Sequence, residues 1–324
     1  MLLVGRSGGP EERLVPAAGF ELATVRIRGL DRDAVWKNLA LPALIPASLR
    51  AGLRIVDRFR PDVVLGMGGY VMAPAVAAAR MRGIPYVLHE KDVRPGLATR
   101  IFAGGAAAIC ITLPGTEKRL GGRRVELTGV PLREGFAPRT PEVPPRRLLI
   151  TGGSQGARNL NQAVWSALDE LSSLFEEVVH VAGRQGAAGV TEHAPTRYRG
   201  MAFTDDMADL MSRADLVVSR AGVGTIAEAT AVGLPMILVP GTFGGGHQEE
   251  NASAMVDSGA AVRLGDAELN GASLVATIKA LDADRLRAMA KASASVGRRD
   301  AARLVLAVLH EVARRRGARR AHKT

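Results

Sequence analysis

The chain has 324 residues, of which 47% are hydrophobic, 23% charged and only 4% aromatic. That length is generous for one domain and comfortable for two, and the composition is that of a globular protein able to fill a core. The net charge is +11, but residues 314–324 hold six basic residues and no acid, so most of the excess sits in a tail. Such a tail suits solvent or an anionic lipid surface. It lacks the interleaved aromatics or fold motif of a nucleic-acid binder, so no nucleic-acid partner is expected. One cysteine, Cys110, excludes an internal disulfide and, within the apolar run 106–111, reads as a small buried side chain. No apolar run is long enough to span a bilayer, and the first residues lack a signal-peptide layout.

Taken in chain order, short apolar runs alternate with helical stretches. Strands are expected at Leu2–Gly5, Leu22–Val25, Val63–Gly66, Tyr86–His89, Ala108–Ile111 and Glu126–Thr128. A second set follows at Arg147–Thr151, Glu177–Ala182, Tyr198–Met201, Leu216–Ser219, Met236–Val239 and Ala261–Arg263. Most are continuously apolar, as strands buried on both faces of a parallel sheet are. Helices are expected at Ala73–Arg82, Leu160–Leu174, Thr225–Ala231, Gln248–Ser258, Ala283–Lys291 and Ala301–Arg316. Between the two sets, Pro131, Pro138, Pro141, Pro144 and Pro145 mark a linker, because proline breaks helices and removes ladder donors. The expectation is an α/β chain of two Rossmann-like domains facing across a cleft: 1–140, then 141–300, with a helix and basic tail over 301–324.

Five loops carry candidate chemistry. Thr151 to Ala157 (Thr-Gly-Gly-Ser-Gln-Gly-Ala) runs from a strand into a helix, where Gly153, Ser154 and Gln155 can surround a phosphate. It lacks the Gly-Lys-Ser/Thr of a P-loop, which disfavours ATP hydrolysis. Ser219 to Glu228 repeats the strand–turn–helix layout: Gly222, Val223, Gly224 and Thr225 can approach a pyrophosphate, and Glu228 can take both hydroxyls of a ribose. His247, Gln248 and Asn251 open a further helix, and amides that donate and accept suit sugar hydroxyls. In the first half, Gly68, Gly69 and Tyr70 follow one strand, and Glu90 and Asp92 follow the next. No metal-ligand spacing appears and no cofactor is called for.

The ordered set of Gly66–Tyr70, Val87–Glu90, Gly129–Arg133, Gly152–Arg158, Phe203–Met207, Ala221–Glu228 and His247–Asn251 resembles the MurG family of N-acetylglucosaminyltransferases, along nearly the whole chain. The resemblance implies the two-domain GT-B fold and inverting transfer of GlcNAc from UDP-GlcNAc to the C4 hydroxyl of the muramoyl sugar of lipid I. It implies that Phe203, Thr204 and the backbone to Met207 face uracil, and that Glu228 holds the ribose. Ser154, Arg133 and Gly222–Thr225 would face the diphosphate, and His247 and Gln248 the GlcNAc. Glu90 and Gly66–Tyr70 would face the lipid-linked acceptor.

Two departures stand out. The family's first βα unit, whose Gly-Gly-Thr-Gly-Gly-His loop supplies a candidate catalytic base, has no counterpart here, so the base is unknown. The N-terminal sheet is expected to be interrupted where that central strand would lie, leaving an unpaired edge. Second, Lys91-Asp92 stands where the family has Gln-Asn, which unsettles a contact to the donor sugar. The apolar segment Val35–Ile45, flanked by Arg32, Lys37, Arg50 and Arg54, fits an interfacial helix, and with the family resemblance predicts peripheral attachment to the anionic cytoplasmic face of the membrane. A related transferase with another acceptor, or a UDP-GlcNAc-binding protein without turnover, fits the same donor motifs.

Overall fold

Leu149, Val179 and Val217 sit at matching positions of neighbouring strands and point into one core, while Leu148, Ile150, Leu216 and Val218 point into another. Both faces of the sheet are therefore buried, which is why these strands read as unbroken apolar runs. The computed structural model describes residues 1–29, 41–189, 195–242 and 246–321.

The second half builds a six-stranded, all-parallel sheet: β7 (Arg147–Thr151), β8 (Glu177–Val181), β9 (Tyr198–Met201), β10 (Leu216–Ser219), β11 (Met236–Leu238) and β12 (Ala261–Arg263). Their spatial order is β12-β11-β10-β7-β8-β9. The order reverses between β7 and β10, and the crevice at such a point is where α/β sheets hold ligands. One face is covered by α7 (Met207–Arg213), α8 (Val223–Val232) and α9 (His247–Asp257). The other is covered by α5 (Arg158–Trp165), α6 (Leu168–Leu174), α10 (Gly271–Lys279) and α11 (Ala283–Val296). The helix expected over 160–174 is thus two helices, broken after Trp165.

The first half holds β1 (Leu2–Arg6), β2 (Glu21–Val25), β3 (Val64–Gly66), β4 (Tyr86–Glu90), β5 (Ala108–Ile111) and β6 (Val125–Leu127). They form two parallel sheets, β1-β2 and β3-β4-β5-β6, which share no ladder. The sheet is interrupted between β1 and β3, as expected. Its helices are α1 (Glu11–Ala17), α2 (Leu41–Phe59), α3 (Ala73–Met81) and α4 (Leu97–Phe102). Of the apolar segment Val35–Ile45, residues 35–40 lie outside the described ones, and the remainder opens α2.

The last helix, α12 (Ala301–Ala321), returns to the first half: Val305, Val308 and Val312 pack on Val87, Ala108 and Cys110. Arg124 fixes it through Glu311, and Arg316 donates to the carbonyls of Pro61 and Asp62. Cys110 is fully buried, and burial pushes its thiol up to about 11, so it behaves as a small apolar group.

The proline-rich segment between β6 and β7 has no regular structure. Its path is set by Asp215, a buried carboxylate that pairs with Arg139 and accepts from the amides of Glu142, Arg146 and Arg147. Four charge-assisted contacts satisfy one buried anion, the condition for burying it at all.

Candidate active site

Parallel pairing of β7 with β10 puts Thr151 beside Ser219, so the two glycine loops leave the same sheet edge side by side. In the first loop the Gly153 amide donates to Thr151 Oγ1 and the Gly156 amide to the Gly153 carbonyl. Gly153 and Gly156 have φ of +80° and +89°, the left-handed region that side chains avoid. The loop feeds α5, which no side chain caps. In the second loop Gly222 is the N-cap of α8, again without a side-chain cap. Two helix starts with open N–H groups thus converge on one crevice.

Gly222 has an ordinary φ of −73°, and a Cβ added at Gly222 or Gly224 would meet nothing within 4 Å. Neither backbone strain nor internal packing calls for glycine at these positions. The bare backbone keeps clear the space in front of the α8 N-terminus.

Glu228 lies roughly one and a half turns into α8. It is partly buried and accepts no hydrogen bond from any described residue. Burial raises its pKa, and the Arg133 guanidinium opposes the rise. Arg133 also reaches the Asp205 carbonyl, so it bridges the Glu228 helix and the loop after β9. There Phe203 is 43% exposed, and Thr204 Oγ1 accepts from the Asp206 amide. Asp206 in turn caps α7.

The α9 start touches both halves of the chain. The Gln248 side-chain carbonyl accepts from the Gly241 amide, which leaves its NH2 to face a ligand. His247 Nδ1 is buried and has no partner among the described residues. Asn251 departs from the expectation. It is fully buried: Oδ1 accepts from the Val93 amide at 3.0 Å, and Nδ2 donates to Asp92 Oδ1 at 2.8 Å and to the Ala221 carbonyl at 3.2 Å. Its amide is committed to protein partners, so it is not the sugar contact anticipated from residue type. Asp92 likewise meets Asn251 where an acceptor contact was anticipated.

In the first half, Gly68 and Gly69 adopt φ of +84° and +69° and carry the chain to Tyr70, which is 38% exposed. Glu90 is buried and accepts from three loop amides, those of Lys91, Asp92 and Gly96. The carboxylate therefore shapes the 90–96 loop. His89 is fully buried, and burial lowers its pKa. Its Nε2–H donates to the Gly129 carbonyl and ties β4 to the start of the linker. Residue type alone did not reveal these anchoring roles, nor that of Arg184, whose guanidinium lies 5.1 Å from the Phe203 ring centre.

Residues 3–111 match the glycosyltransferase family 28 N-terminal domain, and residues 147–305 match the family 28 C-terminal domain. Relatives named UDP-N-acetylglucosamine--N-acetylmuramyl-(pentapeptide) pyrophosphoryl-undecaprenol N-acetylglucosamine transferase extend the match. That of a Nocardioides species is 38% identical, covering 94% of this chain and 88% of its own. That of Acidothermus cellulolyticus is 39% identical, covering 92% and 86%. The crystal structure of Acinetobacter baumannii MurG superposes with a TM-score of 0.78 at 26% identity, over 95% of this chain and 90% of that one.

This chain belongs to the MurG family.

In this member of the MurG family, the loops after β7, β10 and β11 leave the same edge of their sheet, and the Asp92–Val93 loop of the other half meets α9 through Asn251. Contacts between the halves include those of Asn251 and the pairing of Arg119 with Glu250 at 2.8 Å. No helix among the described residues is long and apolar enough to cross a membrane.

Proposed function

We propose that this protein transfers GlcNAc from UDP-GlcNAc, with inversion, to the C4 hydroxyl of the muramoyl sugar of lipid I, forming lipid II. The relatives' shared name supports this reading of substrates. The observation that carries it is the pair of helix starts without side-chain caps after adjacent parallel strands, with Glu228 beside Arg133 and accepting no hydrogen bond from any described residue. The α5 and α8 N-termini offer N–H groups to a diphosphate that gains charge as the sugar leaves. Arg133 adds a fixed positive charge, and Ser154 a hydroxyl. Glu228 takes the ribose hydroxyls, and Gln248 and His247 turn polar groups toward the sugar. The acceptor hydroxyl attacks the anomeric carbon in one displacement, losing its proton as the C–O bond forms and UDP departs. Glu90 holds the loop that positions the acceptor, since its oxygens are engaged by three amides.

The division of labour follows the linker: residues 1–140 serve the acceptor, 141–300 the donor, and α12 braces the first half. Attachment to the anionic cytoplasmic face of the membrane is supported by Leu97 and Ile101, exposed one turn apart on α4, and by the basic end of α12.

The deciding experiment supplies labelled UDP-GlcNAc with lipid I, and separately with other polyprenyl-linked or small-molecule acceptors. Formation of lipid II with release of UDP is the expected result. UDP-GlcNAc binding without turnover on any acceptor would overturn the proposal in favour of a nucleotide-sugar-binding protein.

A further inference from the structure

The loop after β8 lies beside the Gly152–Gly156 loop, on the side away from β10, because β8 pairs with β7. The two loops meet through glycines. A Cβ on Gly183 would fall 2.1 Å from Gly156 Cα, and a Cβ on Gly156 would fall 2.3 Å from the Ala182 carbonyl oxygen. This closeness lets the Arg184 amide donate to the Ser154 carbonyl at 3.3 Å and the Gln185 amide to the Gln155 carbonyl at 3.2 Å. The backbone of Arg184 is therefore fixed against the phosphate loop.

Its side chain goes the other way. The guanidinium carbon lies 5.1 Å from the centre of the Phe203 ring, on the loop after the next strand, β9. That is cation–π distance, and stacking on a ring face leaves the guanidinium edge free to donate. No described residue accepts a hydrogen bond from that edge or forms an ion pair with it. Arg184 thus spans the Ser154 loop and the Phe203 loop, with a fixed charge and unused donors between them. A group held there meets the junction between a nucleoside and its first phosphate.

We infer that Arg184 is a positioning residue for the nucleotide: stacked on Phe203, its guanidinium pairs with the α-phosphate of the donor's nucleoside diphosphate. Phe203 pre-orients the side chain, so less rotamer freedom is lost on binding. The inference rests on the nucleotide-sugar reading above.

Calorimetric titration with UDP and UMP, and competition with uridine, test it in the full-length protein. Arg184→Ala is expected to weaken UDP and UMP at least tenfold, the usual scale for losing a hydrogen bond to a charged group. Uridine, which lacks the phosphate, is expected to compete as before. In transfer assays the KM for UDP-GlcNAc rises and kcat stays within about twofold, since a contact made equally in ground and transition states acts on KM. Arg184→Lys keeps charge without the planar stack and recovers part of the affinity. Because the side chain is exposed, the thermal midpoint serves as the folding control. Equal UDP affinity in wild type and Arg184→Ala overturns the inference. So does an equal loss for uridine, UMP and UDP, which would assign Arg184 to the base through Phe203. Absence of UDP binding by the wild type overturns the nucleotide-sugar reading itself, and this inference with it.

Discussion

Asn251 on α9 donates to Asp92 across the cleft at 2.8 Å while accepting from the Val93 amide. The helix that begins with His247 and Gln248, which the proposed function gives to the donor sugar, is thereby joined to the loop shaped by Glu90. Removing this amide orphans a buried N–H and a carboxylate at the junction of the two halves. Asn251→Ala is expected to destabilise the protein by about 2 kcal/mol and to lower kcat/KM. Asp92→Asn, whose amide oxygen still accepts from Asn251, is expected to cost well under half of that. Urea unfolding and initial rates compare the two; equal losses would remove the special place given to Asn251.

Glycine plays two separable roles around the proposed diphosphate site. Gly183→Ala drives a Cβ into Gly156 at a positive φ, so it should destabilise the fold and displace the Ser154 loop. Gly224→Ala meets open space inside a helix, where alanine is favoured over glycine by about 0.5–1 kcal/mol. It should leave the thermal midpoint unchanged or raised, yet raise the KM for UDP-GlcNAc at least several-fold. Unimpaired donor binding in Gly224→Ala would show that the cleared space is not where the donor lies.

Burial raises the pKa of Glu228 in the free protein. An acid raised on folding favours the folded state while protonated, and that contribution is lost as pH rises through the raised value. At neutral pH the carboxylate therefore weighs against stability, and Glu228→Gln should be at least as stable as wild type. The same variant should bind UDP-GlcNAc more weakly, because an amide accepts less well from ribose hydroxyls. In wild type the KM for donor should climb on the acid side, starting nearer neutrality than for an ordinary carboxylate. Measuring KM against pH for both proteins checks this, since the glutamine variant should lack that limb.

His180 in β8 is fully buried between Tyr198 Oη at 2.9 Å and Asn161 Oδ1 at 3.1 Å, and burial pushes it down to about 4 from an ordinary 6.5. The unfolded chain takes a proton near the ordinary value and the folded one resists until about 4. The histidine's stability contribution is thus complete above the ordinary value and lost as pH falls through that window. Unfolding free energies of His180→Gln measured across the window should show a shallower acid decline than wild type. Parallel profiles would place the acid sensitivity elsewhere.

The β1-β2 pair shares no ladder with the rest of its half. Two strands alone are marginal in water, so they depend on the helices against them. Amides of Leu3–Val25 are expected to exchange much faster than those of β7, β8 and β10, and mass-resolved hydrogen exchange reads both in one sample.

Much of this molecule was legible in its residues because parallel strands covered on both faces leave unbroken apolar runs. Arg147–Thr151 and Leu216–Ser219 were bounded correctly for that reason. The edge strands Tyr198–Met201 and Ala261–Arg263 were also bounded correctly, though they are poorer in apolar residues and only partly buried. The split of α5 from α6 was not visible, since Trp165, Ser166 and Ala167 continue a helical pattern through the break. α4, α7 and α10 also escaped notice: they are short, and their ends are set by packing and caps.

The sequence by itself determined which loops run from a strand through glycine into a helix, because glycine, serine and helix-start chemistry are local, and it determined the family through their order. Only the tertiary structure decided what the polar side chains do. The Asn251 amide and the Glu90 carboxylate look like ligand groups in isolation, yet protein amides and Asp92 occupy them. Glu228 accepts no hydrogen bond from any described residue, and Arg184 gains a partner in Phe203. The physical reason is that a buried polar group must be paired, and its partner is fixed by where distant strands end, not by its neighbours in the chain.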